Sequence, residues 1–162
     1  LYLAGPVKRV SASTTRALHK GIEVEDTAVA ILEFESGARG IVEGSTACWS
    51  ESGNPAEIYV NGDQGSVILA DDGFRQWEFR EALPEDTHVL EHLMINPQQG
   101  GMGANDPSAI NADGHRHNFE DVVSAIQAGK KPSVDGGEAR KAIALISAIY
   151  ESAKNNGHPI TL

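Results

Sequence analysis

Apolar and polar positions alternate with a period of two along the first half of the chain, which is the pattern of β-strands. The clearest case is the segment 27–34, one face of which carries only apolar side chains: Ala28, Ala30, Leu32 and Phe34. Its other face carries Val29 and Ile31 before it becomes polar at Glu33. The pattern predicts a strand that is partly buried on both faces.

A turn containing Gly37 follows this strand and the chain returns as a second strand at 39–48, so the two segments predict an antiparallel hairpin. Gly40 and Gly44 in the return strand indicate a bulge or the close approach of another backbone. The same pattern predicts further short strands at 7–13, 56–60, 66–70, 74–79 and 160–162. Because most of these strands are joined by short turns, they predict one largely antiparallel sheet.

Apolar residues recur at helical spacing in the last third of the chain. The first helix is predicted from Phe119, Val122, Val123 and Ile126, and it is closed by Gly129 and Pro132. A second helix begins after Asp135, with Glu138 in the position of a capping box, and ends at Asn156-Gly157. Its predicted buried stripe is Ala139, Ala142, Ile143, Ile146, Ile149, Tyr150 and Ala153.

These elements predict an α+β fold, with an open, mostly antiparallel sheet and two carboxy-terminal helices packed on one face. A chain of 162 residues is long enough to bury a core of its own, so residues 1–162 are predicted to form a single domain. The segment 92–114 between sheet and helices shows no period. It is either a binding loop or a disordered segment, and composition does not separate the two.

The charge balance argues against nucleic acid and membranes as partners. Lys and Arg number 13 against 23 Asp and Glu, which gives a formal net charge of -10 and no extended basic patch. The longest mostly apolar run, 142–150, is about half of the ~20 residues that a membrane-spanning helix needs. Cys48 is the only cysteine, which excludes an intramolecular disulfide and favours a reducing cytoplasm.

Three stretches of the sequence resemble the carboxy-terminal domain of the Gfo/Idh/MocA family of NAD(P)-dependent oxidoreductases. They are "VEDTAVAILEFESGARGIVEGS", "IYVNGDQGSVIL" and "NFEDVVSAIQAGKKPSVDGGEARKAIALISAIYESAKNNGHPITL". The last is the most specific, because a helix ending in Ala-Ile-x-x-Gly-x-x-Pro is followed by Val-Asp-Gly-x-Glu-Ala and by an Ala-rich helix closing in Tyr-Glu-Ser-Ala. The resemblance covers nearly the whole chain.

The resemblance implies an enzyme that passes hydride between a nicotinamide and a sugar, a polyol or a related hydroxyl compound. In the family, an amino-terminal Rossmann domain binds the dinucleotide and supplies a Lys from Glu-Lys-Pro, and a helix carries Asp-x-Gly-x-His. Residues 1–162 contain neither string, and they contain no strand followed by G-x-G-x-x-G. The Rossmann domain is therefore expected to be absent from this chain, which would begin just after that helix.

No residue of this chain is predicted to be catalytic, and NAD or NADP is expected to be bound by the parent enzyme and not by this chain. The nearest glycine cluster, Gly100-Gly101-Met102-Gly103, lacks the third glycine and follows a Pro-Gln-Gln loop instead of a strand. No Ser nucleophile elbow is present either, because G-x-S-x-G does not occur.

Two histidines at the start of the first long helix are candidate site residues. His115 continues the apolar face of Phe119, and the resemblance places this helix start near the substrate pocket, so a contact to a substrate hydroxyl competes with a capping or core histidine. His117 is interpreted as a surface residue. The two side chains point about 200 degrees apart on a helix, so no shared metal ion and no metal site are predicted.

Trp49 and Glu51 are the other candidate substrate-binding residues. The resemblance places the end of the strand before Trp49 beside the sugar or polyol. An aromatic ring can stack on the apolar face of a polyhydroxy ligand, and neighbouring hydroxyl and carboxylate groups can bond its OH groups. The alternative is a rim aromatic with solvated neighbours.

Two helices cover only one face of a sheet, yet the strand at 27–34 is apolar on both faces. A homo-oligomer through the open sheet face is therefore expected, with two-sided burial inside one monomer as the alternative. The favoured function is the substrate-side and oligomerisation domain of an NAD(P)-dependent oxidoreductase, inactive alone. The alternative function is a free-standing ligand-binding or protein-interaction module without redox activity.

Overall fold

The computed structural model describes residues 1–51, 53–71, 73–95 and 112–162. Their elements, in chain order, are β1 (Val7–Thr15), β2 (Thr27–Phe34), β3 (Arg39–Ser45), β4 (Glu57–Asn61), β5 (Gly65–Ala70), β6 (Gly73–Phe79), α1 (Asp86–His92), α2 (Asp113–Gln127), α3 (Gly136–Lys154) and β7 (Ile160–Thr161). The predicted α+β class with open antiparallel strands and late helices is confirmed. Most of the predicted segment 92–114 lies outside the described residues.

The described strands form two sheets, where the sequence predicted one. The first has the order β3-β2-β1-β7 and the second has the order β4-β5-β6. All of their ladders are antiparallel. The period of two and the turns determine which strands pair within a hairpin, but they do not determine whether one hairpin joins the edge of the next.

The chain divides into two compact units. The first combines Leu1–Cys48 with Asp113–Leu162 and holds the four-stranded sheet, α2 and α3. The second comprises Trp49–Ala112 and holds the three-stranded sheet and α1.

The core of the first unit lies between one face of its sheet and α3. Its buried residues are Val7, Val10, Ala12, Ala30, Leu32, Phe34 and Ala148. Ala12 pairs with Ala30 across β1 and β2, so small side chains stand at the centre of the face and let the helix approach closely. The predicted buried face of the strand at 27–34 is confirmed, because Ala30, Leu32 and Phe34 are all buried.

Ser152 fastens α3 to this sheet. The ladder between β1 and β7 reaches only Arg9 and Val10, so the N–H of Ala12 has no partner strand on that edge. The Ser152 hydroxyl accepts from the Ala12 N–H at 2.9 Å and donates to the His158 carbonyl oxygen at 2.8 Å. Ser152 is fully buried, so its bond with the Ala12 N–H is shielded from water, and its bond to His158 is partly so.

The start of α3 agrees with the sequence prediction, but its buried side differs. The Asp135 carboxylate accepts from the N–H groups of Gly137 and Glu138, as expected of an N-cap. The Glu138 carboxylate bonds Lys141, so the reciprocal half of the predicted capping box is not formed. The side that faces the sheet carries Leu145, Ala148, Ile149 and Ser152. The predicted stripe was wrong in large part, because α3 is apolar around more of its circumference than one sheet covers. Only Ile149 and Ala153 of the stripe are partly buried, and its exposed members are Ala139, Ala142, Ile143, Ile146 and Tyr150.

The apolar stripe of α2 is also exposed. The predicted helix is present and covers Asp113–Gln127, but Phe119 and Ile126 are each 73% exposed and its only buried residue is Ala125. The Asp121 carboxylate holds the chain after the helix, accepting from the N–H of Ser133 at 2.8 Å and from its hydroxyl at 2.9 Å.

The second unit has its own aromatic row. The rings of Phe74, Trp77 and Phe79 follow one another edge-to-face, with centroids 4.9 and 5.0 Å apart. The indole N–H of Trp77 donates to Asp86 at 2.8 Å and so ties β6 to α1. The sequence pattern missed α1, because a helix of two turns has too few apolar positions to show a period.

We predict that Ser152→Ala lowers the free energy of unfolding by about 1–3 kcal/mol, because the buried Ala12 N–H then has no acceptor. Urea denaturation followed by far-UV circular dichroism measures the change. Ser147→Ala is the matched control, since Ser147 is an exposed serine of the same helix and should change stability little. Equal loss in both variants would contradict the role of the Ser152 bonds.

Candidate functional site

A buried carboxylate organises the loop between β1 and β2. The two oxygens of Asp26 accept from the backbone N–H groups of Ala17, Leu18 and His19 at 2.9, 2.7 and 2.9 Å. Asp26 is 4% exposed. These bonds, led by the one from Ala17, hold the pKa of the Asp26 carboxyl well below its ordinary value. The loop is therefore fixed around a negative charge.

The same loop is bonded to the end of β3. The Thr46 N–H donates to the Asp26 carbonyl oxygen at 2.8 Å, and the ring of His19 approaches the Thr46 carbonyl oxygen at 2.9 Å through Nε2. A carbonyl oxygen only accepts, so His19 carries its proton on Nε2 in this bond. We call residues 16–26 and 46–48 the rim.

Helix α3 also reaches the rim. The Tyr150 hydroxyl donates to the Glu25 carboxylate at 2.7 Å. This bond raises the pKa of Tyr150, because it and the neighbouring negative charge favour the protonated phenol. The rim is thus supported by β1, β2, β3 and α3.

The rim leads in the chain directly into Trp49, the first of the predicted substrate-binding residues. Trp49 is 86% exposed, so its ring is free to stack on a ligand. Glu51 is also exposed. Both residues belong to the second unit. Between them, the Ser50 hydroxyl donates to the Gly53 carbonyl oxygen at 3.2 Å, which bends the chain after the Trp.

His115 lies in the first turn of α2, in the first unit. It is exposed, as is the Phe119 whose face it was expected to share toward a sheet. Its neighbour Arg116 is held by Asp113 and Glu120, each at 3.0 Å, so the helix start carries an ordered charge cluster beside His115.

The rim was not predicted, although Asp26 occupies a recognisable position. An Asp immediately before a strand and after a polar loop is a residue that often accepts backbone N–H bonds. The alternation of apolar and polar residues does not reveal this position, because the bonds from Asp26 to the backbone close a loop of ten residues and have no fixed spacing. The same reason applies to the pairing of Glu25 with Tyr150, which are 125 residues apart.

A groove of about 470 Å³ runs between α3 and β7. Its polar lining includes Arg140, Lys141 and Glu151. None of the predicted substrate-binding residues lines it.

The described residues do not fit a dinucleotide. All of their strand ladders are antiparallel and their single parallel bridge, between Phe74 and Met94, is isolated, so they contain no strand-helix-strand crossover to cradle a pyrophosphate. The glycines that open α3 offer two backbone donors, but the Asp135 carboxylate already occupies them at 2.8 and 3.0 Å. The glycine cluster at 100–103 lies outside the described residues.

In the ranges that the structure describes, no three His, Cys, Asp or Glu side chains come together as a metal site. Within those ranges no helix is both long and apolar enough to cross a membrane.

The comparisons with known proteins give a family match over the whole chain. The family model of the Gfo/Idh/MocA oxidoreductases, specifically of their C-terminal alpha/beta domain, matches residues 1–162. D-apiose dehydrogenase of Rhizobium rhizogenes is 30% identical over 167 residues, which cover 95% of this chain and 43% of the relative.

Two solved structures extend the comparison. The WlbA dehydrogenase of Bordetella pertussis, in complex with NADH and UDP-GlcNAcA, matches with a TM-score of 0.79 and 28% identity over 99% of this chain and 43% of its own. The WlbA enzyme of Chromobacterium violaceum, in a complex with the same two ligands, matches with a TM-score of 0.76 and 26% identity. The match covers 99% of this chain and 41% of that enzyme. The chain spans less than half the length of each of these relatives.

We predict that Asp26→Asn lowers the melting temperature at pH 7 by roughly 5 °C, because it removes the charge that accepts three N–H groups. A carboxyl whose pKa is lowered by folding stabilises the fold above its unfolded pKa and loses that effect as the pH falls toward the folded value. The difference in melting temperature between the parent chain and Asp26→Asn should therefore shrink below about pH 4.

Thermal melts between pH 7 and pH 3 measure this difference. Glu23→Gln is the control, because Glu23 is an exposed carboxylate of the same loop. A difference between Asp26→Asn and the parent that stays constant from pH 7 to pH 3 would contradict the assignment.

Proposed function

The chain belongs to the Gfo/Idh/MocA oxidoreductase family as its C-terminal alpha/beta domain, and from that premise we propose that it is the substrate-side and oligomerisation domain of an NAD(P)-dependent sugar or polyol dehydrogenase. The observation that carries the proposal is the family match over residues 1–162. A relative that oxidises a sugar and two relatives in complex with NADH and a sugar nucleotide support the substrate class.

We assign the dinucleotide to a Rossmann domain of the parent enzyme, so this chain alone is inactive. The antiparallel ladders and the occupied N-terminus of α3 support this assignment. When bound, the nicotinamide supplies hydride chemistry. The contribution of this chain is to bind and orient the sugar.

Three residues are assigned to that task. Trp49 stacks on an apolar face of the ring, as its 86% exposure allows. Glu51 and His115 bond hydroxyl groups, a carboxylate as acceptor and an imidazole as donor or acceptor. The bonds between His19, Asp26 and Thr46 hold the chain of the first unit near the point where it continues to Trp49.

The face of the first sheet that is turned away from α3 supports self-association. We call it the open face, and its outward residues on β2 and β3 include Val29, Ile31, Ile41 and Glu43. Ile31 and Ile41 are opposite each other and are 55% and 74% exposed. Beside them, Glu33 pairs with Arg9 at 2.5 Å, and this bond lowers the pKa of Glu33. An apolar centre bordered by charged residues is the typical composition of a protein interface.

A reducing cytoplasm is the compartment that we assign to the enzyme. Cys48 is an exposed free thiol, and exposed free thiols persist where disulfides do not form.

The function is tested on the protein isolated from its source cells with an antibody raised against this chain. We expect a polypeptide of more than twice 17.2 kDa that binds NADH by fluorescence titration, whereas the 162-residue chain binds none. In the isolated enzyme, Trp49→Ala should raise the KM for the sugar about three- to tenfold through lost stacking. Tyr2→Ala is the matched control, because Tyr2 is a 99% exposed aromatic residue.

A native polypeptide of about 17 kDa without affinity for NADH would instead establish the alternative, a free-standing ligand-binding or interaction module. Tight NADH binding by the 162-residue chain would overturn the assignment of the dinucleotide to another domain.

We predict that the chain forms dimers and that Ile41→Lys dissociates them, because it places a charge in the apolar centre of the open face. Light scattering after size exclusion measures the mass. Val24→Lys is the control, since Val24 is an apolar loop residue that is 59% exposed and lies off the sheet. A monomeric parent chain at high concentration, or equal dissociation by Val24→Lys, would refute the interface.

A further inference from the structure

Two of the six histidines of the chain lie four residues apart on α1. His88 and His92 are both exposed, and residues at i and i+4 lie on the same face of a helix. Their ring centroids are 5.0 Å apart. The other pair of histidines that are close in sequence, His115 and His117, is two residues apart and so does not share a face.

The ring of His92 is bonded in the way that prepares an imidazole for a metal. Its Nδ1 lies 3.1 Å from the carbonyl oxygen of His88. A carbonyl oxygen cannot donate, so Nδ1 carries the proton and the lone pair is on Nε2. Metal-bound histidines typically donate their second ring N–H to such an acceptor, which fixes the tautomer and the orientation of the ring.

The separation of the two rings also fits a shared ion. Two imidazoles that bind one tetrahedral Zn²⁺ at about 2.0–2.1 Å through nitrogen have ring centroids about 5 Å apart. The rings of His88 and His92 already have this spacing, and their planes differ by 24°. The two rings are stacked in this structure, so a shared ion requires the His88 ring to turn about its soft terminal side-chain torsion while His92 keeps its Nδ1 bond.

We propose that His88 and His92 together bind one divalent transition-metal ion such as Zn²⁺ or Ni²⁺ on the surface of the second unit. Neutral imidazole nitrogens favour zinc, nickel and copper over the hard ions Mg²⁺ and Ca²⁺, which require oxygen ligands. Because the described residues bring no third His, Cys, Asp or Glu to the pair, water completes the coordination. The formal net charge of -10 attracts cations to the surface.

The test is calorimetric titration of the tag-free 162-residue chain with ZnCl₂. Cys48→Ser serves as the background, because the exposed thiol of Cys48 is a competing zinc ligand. We expect one equivalent of Zn²⁺ to bind, and we expect His88→Ala and His92→Ala each to weaken binding at least about tenfold. MgCl₂ should give no binding heat.

The control is the double variant His115→Ala/His117→Ala, which removes two other exposed histidines and should bind Zn²⁺ like the background protein. In the unsubstituted chain, paramagnetic Ni²⁺ should broaden the ring signals of His88 and His92 first, which gives a second readout that needs no variant. Absence of zinc binding, or loss of binding in the His115/His117 variant with retention in the His88 and His92 variants, would overturn the proposal.

Discussion

One buried hydroxyl joins the long helix of the first unit to its sheet. Ser152 bonds the Ala12 N–H of β1 and the His158 carbonyl of the turn that follows α3, so helix, strand and turn are held at one point. The bond is needed because β7 stops pairing at Val10 and leaves the next outward N–H of β1 without a strand partner. Ala12, Ala30 and Ala148 belong to the buried core, where their small side chains let the helix lie close to the sheet. The buried side of α3 and the closed face of the sheet meet at this contact.

The closed face in turn defines the surfaces that remain for function. Because α3 covers one side of β1 and β2, Ile31 and Ile41 are left on the open face, where a second copy of the chain is proposed to pack. Tyr150 extends from the same helix to Glu25 and supports the rim from which the chain enters Trp49. One helix thus packs on the core and supports the rim.

Local features of the fold were predictable from the sequence, and long-range ones were not. The strand Thr27–Phe34 and the Asp135 cap depend on neighbours within a few residues, so alternation and capping chemistry predicted them. The prediction of which side of α3 is buried was wrong, because apolar residues surround much of the helix. Contact with the sheet decides that Ala148 and Ser152 are the buried residues. The carboxylate of Asp26 and its loop were missed for a related reason, since bonds from side chain to backbone leave no periodic pattern in the sequence.

Trp49, Glu51 and His115 remain predictions, two of them in one unit and one in the other.

Hydrogen exchange of the backbone amides tests most directly whether the Ser152 contact holds the first unit together. The Ala12 amide is predicted to exchange as slowly as the central amides of α3, and both should be faster in Ser152→Ala, because helix and strand open as one unit. An Ala12 amide that exchanges as rapidly as the exposed turn at Gly37 while α3 stays protected would contradict this account.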